Sequence, residues 1–386
     1  MRFKRIFLIV LDSLGVGEAN DASKFNDNGS NTLKRIINNT NYQFPNLEKM
    51  GFISLIDNKP IDSISYYTKG QPHSNGKDTL TGHLEMMGID TQIPFKTFTK
   101  NGFPKELIEE LEKRTNRKII GNCSESGTEI IERLGEEHMK TGNLIVYTSA
   151  DSVLQIAAHE DIIPLPELYQ ICQIARELTL KDEWKVGRVI ARPFIGTPGN
   201  FIRTANRHDY ALNPVSKTVL DHLNEKGYEV ISLGKIADIF NNCGITKSIK
   251  TKDNTDGICK IIEQTNNQFQ GLCFANLNDF DSKYGHRRDI DGYGKAIKEF
   301  DDNLPEIIKN INDDLLIITA DHGNDPGFKG TDHTRENTPV LIYSKQFKEP
   351  KRLDNLNTLA DIGATIADNF NVSKPLIGES FLDELK

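Results

Sequence analysis

The sequence has few of the features that identify membrane-spanning or disulfide-stabilised proteins. None of its apolar runs approaches the ~18 residues that a membrane helix requires. Its 5 cysteines among 386 residues are scattered, and no two form the close pair typical of a zinc ribbon: Cys123, Cys172, Cys243, Cys259 and Cys273. We therefore expect reduced thiols and neither a disulfide framework nor a thiolate-ligated metal.

The chain also lacks an excess of positive charge. It contains 47 Lys and Arg residues against 55 Asp and Glu residues, a net charge of −8, which argues against a dedicated nucleic-acid-binding protein. Its start has the basic-then-apolar order of a signal peptide, but the apolar stretch covers only residues 6–11 and no small-residue cleavage site follows. We expect a cytoplasmic protein that binds neither nucleic acid nor membranes; the sequence does not predict an oligomeric state.

What is present favours a globular protein with alternating strands and helices. Short apolar runs that end in polar clusters predict buried strands at residues 6–11, 144–147, 228–233, 272–277, 315–319 and 339–343. Apolar residues at three- and four-residue spacing predict helices at residues 164–178, 293–311 and 359–370. This alternation predicts an α/β fold, with a mostly parallel sheet between helices.

The length predicts more than one domain, because a domain usually takes ~100–200 residues. Residues 93–210 differ from the rest: they contain helix-like stretches at 104–114 and 164–178, few matching strand ends, and a Gly/Pro-rich stretch at 192–200. We predict that residues 93–210 form an inserted α+β cap domain. The flanking residues, 1–92 and 211–386, would form the catalytic core.

Acidic and imidazole side chains follow three of the predicted strands, and carboxyl ends of parallel strands meet at one edge of a sheet. The residues concerned are Asp12, Asp279, Asp281, His286, Asp321, His322 and, eleven residues after His322, His333. Carboxylates crowd together only when a cation offsets their repulsion. Oxygen and imidazole ligands suit Mn²⁺, Mg²⁺ or Zn²⁺, so we predict a divalent metal site. Asp279 is a weaker candidate, as is Asp289, because either could cap a helix or pair with a neighbouring arginine.

A second signal lies in residues 74–87, where a glycine, Lys77 and two hydroxyl residues precede a possible short helix. Backbone N–H groups at such a helix start favour an anion. A threonine hydroxyl near a divalent cation becomes a nucleophile, and spacing alone does not separate Thr79 from Thr81. The spacing does not match a Walker A loop. The alternative is a capped turn with Asp78 or Thr79 as the N-cap.

A third signal is a group of four arginines within twenty residues: Arg188, Arg192, Arg203 and Arg207. Arginine forks bind phosphate through paired hydrogen bonds, although surface arginines are often merely solvated. Upstream of this group, Asp151 could accept hydrogen bonds from a sugar or cap the next helix.

Together these stretches resemble the phosphopentomutases of the alkaline-phosphatase superfamily. The resemblance covers nearly the whole chain and is carried by residues 10–17, 76–83, 147–155, 187–210, 279–289 and 319–335. Asp-His-Gly alone would indicate only the superfamily. The resemblance implies an alkaline-phosphatase-like core with an inserted cap, and an isomerase that interconverts ribose 1-phosphate and ribose 5-phosphate, with their 2-deoxy forms.

The resemblance also implies residue roles and cofactors. Two divalent ions, usually Mn²⁺ with Mg²⁺ or another ion possible, would bind to one set of Asp12, Asp321 and His322 and another of Asp281, His286 and His333. Thr79 would be carried as phosphothreonine and transfer its phosphoryl group through a 1,5-bisphosphate, with a sugar bisphosphate as primer. Substrate contacts would come from Asp151, Arg188, Arg203 and Lys235. Leu84 departs from the family, which usually has tryptophan there; we expect a packing difference only.

Two other classes of function remain as alternatives. A phosphatase, phosphodiesterase or cofactor-independent phosphoglycerate mutase would have similar metal ligands; the arginine-rich cap and Gly-Lys-Asp-Thr favour the pentose enzyme. A non-catalytic metal- or phosphate-binding protein would need no activated hydroxyl beside six ligands, so we expect an enzyme acting on small pentose phosphates.

Overall fold

The computed structural model describes residues 1–57, 59–149 and 152–386, which divide into two compact units. Unit 1 contains Met1–Ile93 and Asn213–Lys386, and unit 2 contains Pro94–Leu212. The strands in chain order are β1 (Arg5–Leu11), β2 (Tyr66–Gly70), β3 (Ile119–Ser124), β4 (Leu144–Thr148), β5 (Val153–His159), β6 (Arg188–Thr197), β7 (Asn200–Arg203), β8 (His208–Ala211), β9 (Glu229–Leu233), β10 (Lys247–Ile249), β11 (Gly271–Leu277), β12 (Leu315–Thr319) and β13 (Thr338–Tyr343).

The α-helices in chain order are α1 (Thr32–Asn39), α2 (Pro45–Lys49), α3 (Ser54–Asp57), α4 (Thr79–Met86), α5 (Lys105–Thr115), α6 (Gly127–Thr141), α7 (Leu165–Leu178), α8 (Val219–Glu225), α9 (Ile236–Ile239), α10 (Asn254–Asn266), α11 (Ile290–Lys309) and α12 (Ala360–Phe370). Short 3₁₀ helices lie at Ala22–Phe25 and Leu382–Glu384, and a π-helical turn lies at Phe280–Gly285.

Unit 1 is built on a sheet with the strand order β10-β9-β11-β1-β12-β13-β2. Its strands pair in parallel except at β13, which runs antiparallel to both neighbours. Every residue of β1, β11 and β12 is buried, as expected for central strands with both faces covered by helices. The predicted α/β fold with a mostly parallel sheet is therefore confirmed.

The strand register brings several chain segments to one edge of this sheet. Leu11 pairs with Leu277 and Val10 with Thr319, so β1, β11 and β12 end side by side. Because β13 is antiparallel, the residues before it arrive at that edge. Thr338 pairs with Gly70, so the chain also leaves β2 there, toward Thr79. The loops after four strands and before a fifth thus share one location.

For two acidic residues, the sequence did not decide between helix capping and metal binding. Both form hydrogen bonds at the start of a helix. The Asp289 side chain accepts a hydrogen bond of 2.9 Å from the Gly292 amide and caps α11. Asp279 accepts 2.9 Å bonds from the Asn254 amide at the start of α10 and from Lys283 Nζ. Neither residue is among the clustered ligands described below.

Unit 2 has a mixed sheet in the order β3-β4-β5-β6-β7, and β8 also pairs with β6. Helices α5 and α7 pack on one face, and α6 packs on the other over Ile145, Tyr147 and Phe194. The sequence pattern predicted α5 and α7 but did not reveal α6. Two glycines, Gly127 and Gly135, stand at buried positions of α6 where an apolar residue would have marked the stripe.

Within residues 1–57, 59–149 and 152–386, no helix is both long and apolar enough to span a bilayer. The 5 cysteines are free thiols.

Candidate metal centre

Acidic and imidazole side chains meet at the edge of the unit 1 sheet where β1, β11 and β12 end. Asp12, Asp321 and His322 form one group in which ligand atoms lie within 4.8 Å of one another. Asp281, His322 and His333 form a second group by the same measure. All of these residues are buried, and His322 belongs to both groups, so the two groups are adjacent.

The first group is organised around the His322 ring. Its Nε2 atom lies 3.4 Å from Asp321 Oδ2 and 3.5 Å from Asp12 Oδ1. Its Nδ1 atom lies 3.0 Å from the Gly323 carbonyl oxygen, to which it donates. Since a neutral imidazole carries one proton, this bond leaves the Nε2 lone pair directed at the carboxylates, the tautomer that a metal ligand requires.

The electrostatics of this group favour the binding of a cation. Burial and the charges of Asp321 and Asp281 raise the pKa of Asp12 to about 7. Burial acts to lower the pKa of His322, but Asp321, Asp281 and Asp12 outweigh it and raise that pKa to about 9. Among the described residues, buried Asp321 Oδ2 accepts no hydrogen bond, because His83 Nδ1, at 3.2 Å, instead donates to the Thr79 carbonyl oxygen at 2.8 Å. An orphaned oxygen beside crowded carboxylates fits a divalent cation.

Asp281 and His333 of the second group lie beside a further histidine, His286. Asp281 Oδ2 lies 3.2 Å from His286 Nε2, and Asp281 Oδ1 lies 3.3 Å from His333 Nε2. The two Nε2 atoms are only 3.0 Å apart. His286 Nδ1 donates to the Thr331 carbonyl oxygen at 2.8 Å, so its Nε2 lone pair faces this cluster. Two imidazoles and a carboxylate in this arrangement also fit a divalent cation.

Contacts with His333 and His286 stabilise ionised Asp281. Burial acts to raise the pKa of Asp281, but His333 and His286 outweigh it and hold that pKa well below its usual value. Asn324 Nδ2 also donates to Asp281 Oδ1 at 2.8 Å. Asp281 is therefore ionised, and its carboxylate is held in one orientation by these contacts.

Thr79 is the hydroxyl residue that faces the first group. Its Oγ1 atom lies 3.2 Å from His322 Nε2 and 3.5 Å from Asp12 Oδ1. Asp78 caps α4 by accepting from the Thr81 amide at 3.0 Å, and it also accepts from Thr81 Oγ1 at 2.7 Å. The segment is thus a capped helix start, as the alternative interpretation held, and it also directs the Thr79 hydroxyl at the first group.

Two contributing residues were missed by the sequence analysis. His83 Nδ1 lies 2.8 Å from the Thr79 carbonyl oxygen and 3.2 Å from Asp321 Oδ2. Asn276 Nδ2 donates to Asp12 Oδ2 at 2.9 Å and lies 3.3 Å from His83 Nε2. The available signals were an amide inside the otherwise apolar strand β11 and a histidine four residues after Thr79, on the same helix face.

Lys235 also lies at this edge of unit 1. It comes two residues after the end of β9, which runs parallel to β11, and stands at the start of α9. Its positive charge acts to lower the pKa of Asp12, so it contributes to the field at the first group.

The predicted substrate residues of unit 2 lie on its sheet. Arg188 begins β6 opposite Ala211, and Arg203 ends β7 opposite Phe194. These positions are six residues apart along β6, roughly 20 Å of strand. Arg188 Nη1 lies 3.6 Å from Asp209 Oδ2. Asp151, the third predicted contact, lies outside the described residues.

Arg203 lies in a cationic cluster at the start of α6. A Cβ atom added at Gly127, the first residue of α6, would collide with both Arg203 Nη2 and the Tyr147 hydroxyl oxygen. Among the described residues, buried Arg203 Nε has no hydrogen-bond partner. Burial raises the pKa of Tyr147, while Arg192, Arg203 and Arg207 act to lower it. The N–H groups at the helix start, the arginines and the tyrosine hydroxyl are all hydrogen-bond donors, so together they suit an anion.

Known proteins share this fold. Residues 4–374 match the metalloenzyme superfamily. The structure of the PH0037 protein from Pyrococcus horikoshii is similar with a TM-score of 0.51 at 14% identity, over 98% of this chain and 100% of that chain. A phosphoglycerate mutase from Leishmania mexicana gives a TM-score of 0.49 at 11% identity, over 98% of this chain and 97% of that chain.

Proposed function

Since the chain belongs to the metalloenzyme superfamily, we propose that it is a phosphopentomutase that interconverts ribose 1-phosphate and ribose 5-phosphate, with their 2-deoxy forms. The observation that carries this proposal is the Thr79 hydroxyl, 3.2 Å from His322 Nε2 at the junction of two groups of metal-ligand type. A hydroxyl in this position suits phosphoryl transfer to and from the enzyme itself.

The proposed cofactors are two divalent ions, Mn²⁺ or alternatively Mg²⁺. Asp12, Asp321 and His322 would hold one ion, and Asp281, His286 and His333 would hold the other. When bound, such ions offset charge on the attacking and leaving oxygens of a transferred phosphoryl group. Lys235 adds a further positive charge on the side of Asp12.

The proposed reaction begins with Thr79 as phosphothreonine, formed from a sugar bisphosphate primer. A hydroxyl oxygen of the pentose monophosphate bonds to phosphorus, the bond from phosphorus to Thr79 Oγ1 breaks, and the hydroxyl proton passes to the threonine oxygen. The product is a pentose 1,5-bisphosphate. Its other phosphoryl group then bonds to Thr79 Oγ1, the bond from that phosphorus to the sugar oxygen breaks, and the threonine proton passes to the sugar oxygen. This step releases the isomeric monophosphate and restores phosphothreonine.

Holding the second phosphate distinguishes a mutase from a phosphatase, because the bisphosphate must stay bound while it reorients. Arg203 is supported for this role by the surrounding cationic cluster and by its unpartnered Nε, with the buried Tyr147 hydroxyl as a further donor. Arg188 and Asp151 remain proposed contacts on the resemblance to phosphopentomutases. The proposed partners are therefore small pentose phosphates, and the free thiols suit a cytoplasmic location.

The test is an assay of the purified protein with Mn²⁺, ribose 1-phosphate and a trace of ribose 1,5-bisphosphate, followed by phosphorus NMR. We expect the ribose 5-phosphate signal to grow without free phosphate. Release of phosphate with no isomer would identify a phosphatase. A parallel sample with 3-phosphoglycerate tests the phosphoglycerate mutase alternative, and Thr79→Ala protein serves as the control for contaminating enzymes.

A further inference from the structure

Arg335 is a charged side chain with only 1% exposure. Its guanidinium group has five N–H bonds, and five acceptors surround it. Two are the oxygens of Asp21, at 2.9 Å from Nε and 3.1 Å from Nη2. The other three are backbone carbonyl oxygens: Pro72 at 2.8 Å, Ser74 at 2.7 Å and Gly76 at 2.5 Å.

These carbonyls belong to residues 72–78, which we call the nucleophile loop because Thr79 follows them directly. Arg335 stands two residues after His333, so its guanidinium fork connects this loop to the segment that carries a proposed metal ligand. Asp27 makes a second connection, because its Oδ2 atom accepts from the Arg335 amide at 2.9 Å and from Lys77 Nζ at 3.0 Å.

Two amides of the nucleophile loop are held by the Glu85 side chain. Its carboxylate accepts from the His73 amide at 2.9 Å and from the Ser74 amide at 2.7 Å. Glu85 lies on α4, the helix that begins with Thr79. The nucleophile loop therefore has its amides fixed to its own helix and its carbonyls fixed to the segment after His333.

A lysine cannot replace this fork. Its ammonium has three donors at a single point, whereas the guanidinium spreads five donors in one plane. Without the fork, buried carbonyl oxygens of the nucleophile loop lose their partners and the loop must shift to regain them. A displacement of about 1 Å in a reacting group costs about 100-fold in rate.

We infer that Arg335 is a positioning residue: it fixes the position of Thr79 relative to His333 and the neighbouring proposed metal ligands. This inference rests on the proposed role of Thr79, but its geometric part, the fixing of the nucleophile loop, holds without it.

The experiment compares Arg335→Lys with the matched variant Arg5→Lys. Arg5 is also buried, pairs with Asp314 at 2.6 Å and donates to the carbonyl oxygens of Thr265 and Asn267 at 2.9 and 2.6 Å. It begins β1, whereas Asp12 follows the end of that strand. Both variants lose a buried fork, but only one of these forks holds the nucleophile loop.

Two quantities are measured on each protein: amide hydrogen exchange of residues 73–79 without metal, and the rate of Thr79 phosphorylation by ribose 1,5-bisphosphate with Mn²⁺. For Arg335→Lys we expect exchange at least tenfold faster and phosphorylation about 100-fold slower, with an unchanged number of bound Mn²⁺ ions. For Arg5→Lys we expect a lower melting temperature but wild-type values of both quantities.

Wild-type exchange and phosphorylation in Arg335→Lys would overturn the inference, as would equal changes in both variants. Wild-type protein that gains no phosphate on Thr79 would instead refute the proposed function, and the exchange data would still decide whether Arg335 fixes the loop. If Arg335→Lys does not fold, Asp21→Asn removes one partner of the fork and leaves the loop carbonyls untouched. We expect changes in the same directions there, with exchange faster and phosphorylation slower by about tenfold each.

Discussion

The hydroxyl oxygen of Thr79 lies 3.2 Å from Nε2 of His322, the one residue that belongs to both groups of metal-ligand type among the described residues. Thr81, two residues further along α4, instead donates its hydroxyl to Asp78 at 2.7 Å. The sequence spacing leaves these two threonines equivalent as nucleophiles. The geometry favours Thr79, because only its hydroxyl is directed at the ligands.

We therefore expect Thr79→Ala to abolish mutase activity and still bind two metal ions, since the proposed ligands are all retained. Thr81→Ala is the matched control: it should keep turnover and lose about 1 kcal/mol of stability with its hydrogen bond to Asp78. Phosphorus NMR gives the turnover and elemental analysis gives the metal content. Normal turnover in Thr79→Ala would exclude this residue as the nucleophile.

Metal binding should strengthen as pH rises. In the metal-free protein the pKa of Asp12 is about 7 and that of His322 is about 9. Binding needs ionised Asp12 and neutral His322, so protons must leave: mainly from His322 between pH 7 and 9, and from both residues below pH 7. Calorimetry in buffers of different ionisation enthalpy measures this release. Zero protons released at pH 7.5 would contradict the proposed ligation by His322.

The parts of the fold that the sequence predicted are those with an unbroken apolar run or a regular apolar stripe. β1, β11 and β12 are buried throughout, so their apolar runs stand out, and the parallel-sheet rule then brings the residues after them together. β3 has no fully buried residue, and α6 has glycines on its buried side. Neither left a clear apolar pattern.

The part of the site that the sequence could not supply is its supporting contacts. Asn276 reaches Asp12 from 264 positions away, and Arg335 reaches Ser74 from 261 positions away. Residue type alone does not reveal such pairs. It also does not decide whether Asp289 caps a helix or binds metal, because both uses suit a carboxylate after a loop.

Arg203→Ala should weaken the binding of ribose 5-phosphate much more than that of a simple aryl phosphate, which has no second charged group. A charge-assisted hydrogen bond contributes about 1.5–3 kcal/mol, which is roughly 10- to 150-fold in KM. Tyr147→Phe should act in the same direction with a smaller effect. Arg133→Ala is the control, since Arg133 is exposed in the same unit and pairs with Glu125. Equal losses on both substrates would argue against a phosphate contact at Arg203.

Gly82→Ala should damage the first ligand group without removing any ligand. The Cβ atom would collide with the Asp321 carbonyl oxygen, which is backbone and cannot swing aside. Asp321 would shift from the Ser13 amide, now 2.9 Å from its Oδ1, and from His322. We expect a loss of about 1–3 kcal/mol in the free energy of unfolding, as overpacking usually costs, and at least tenfold weaker metal binding.

The control for this variant is Gly257→Ala in α10, where the added Cβ would meet the flexible end of Leu277. Alanine also favours a helix over glycine by about 1 kcal/mol, so this variant should unfold at a similar or higher denaturant concentration and bind metal normally. Urea denaturation in chelator and metal titration separate the two effects. If Gly82→Ala loses stability but keeps its metal affinity, the position of Asp321 does not govern binding, and Asp12 with His322 must hold the ion.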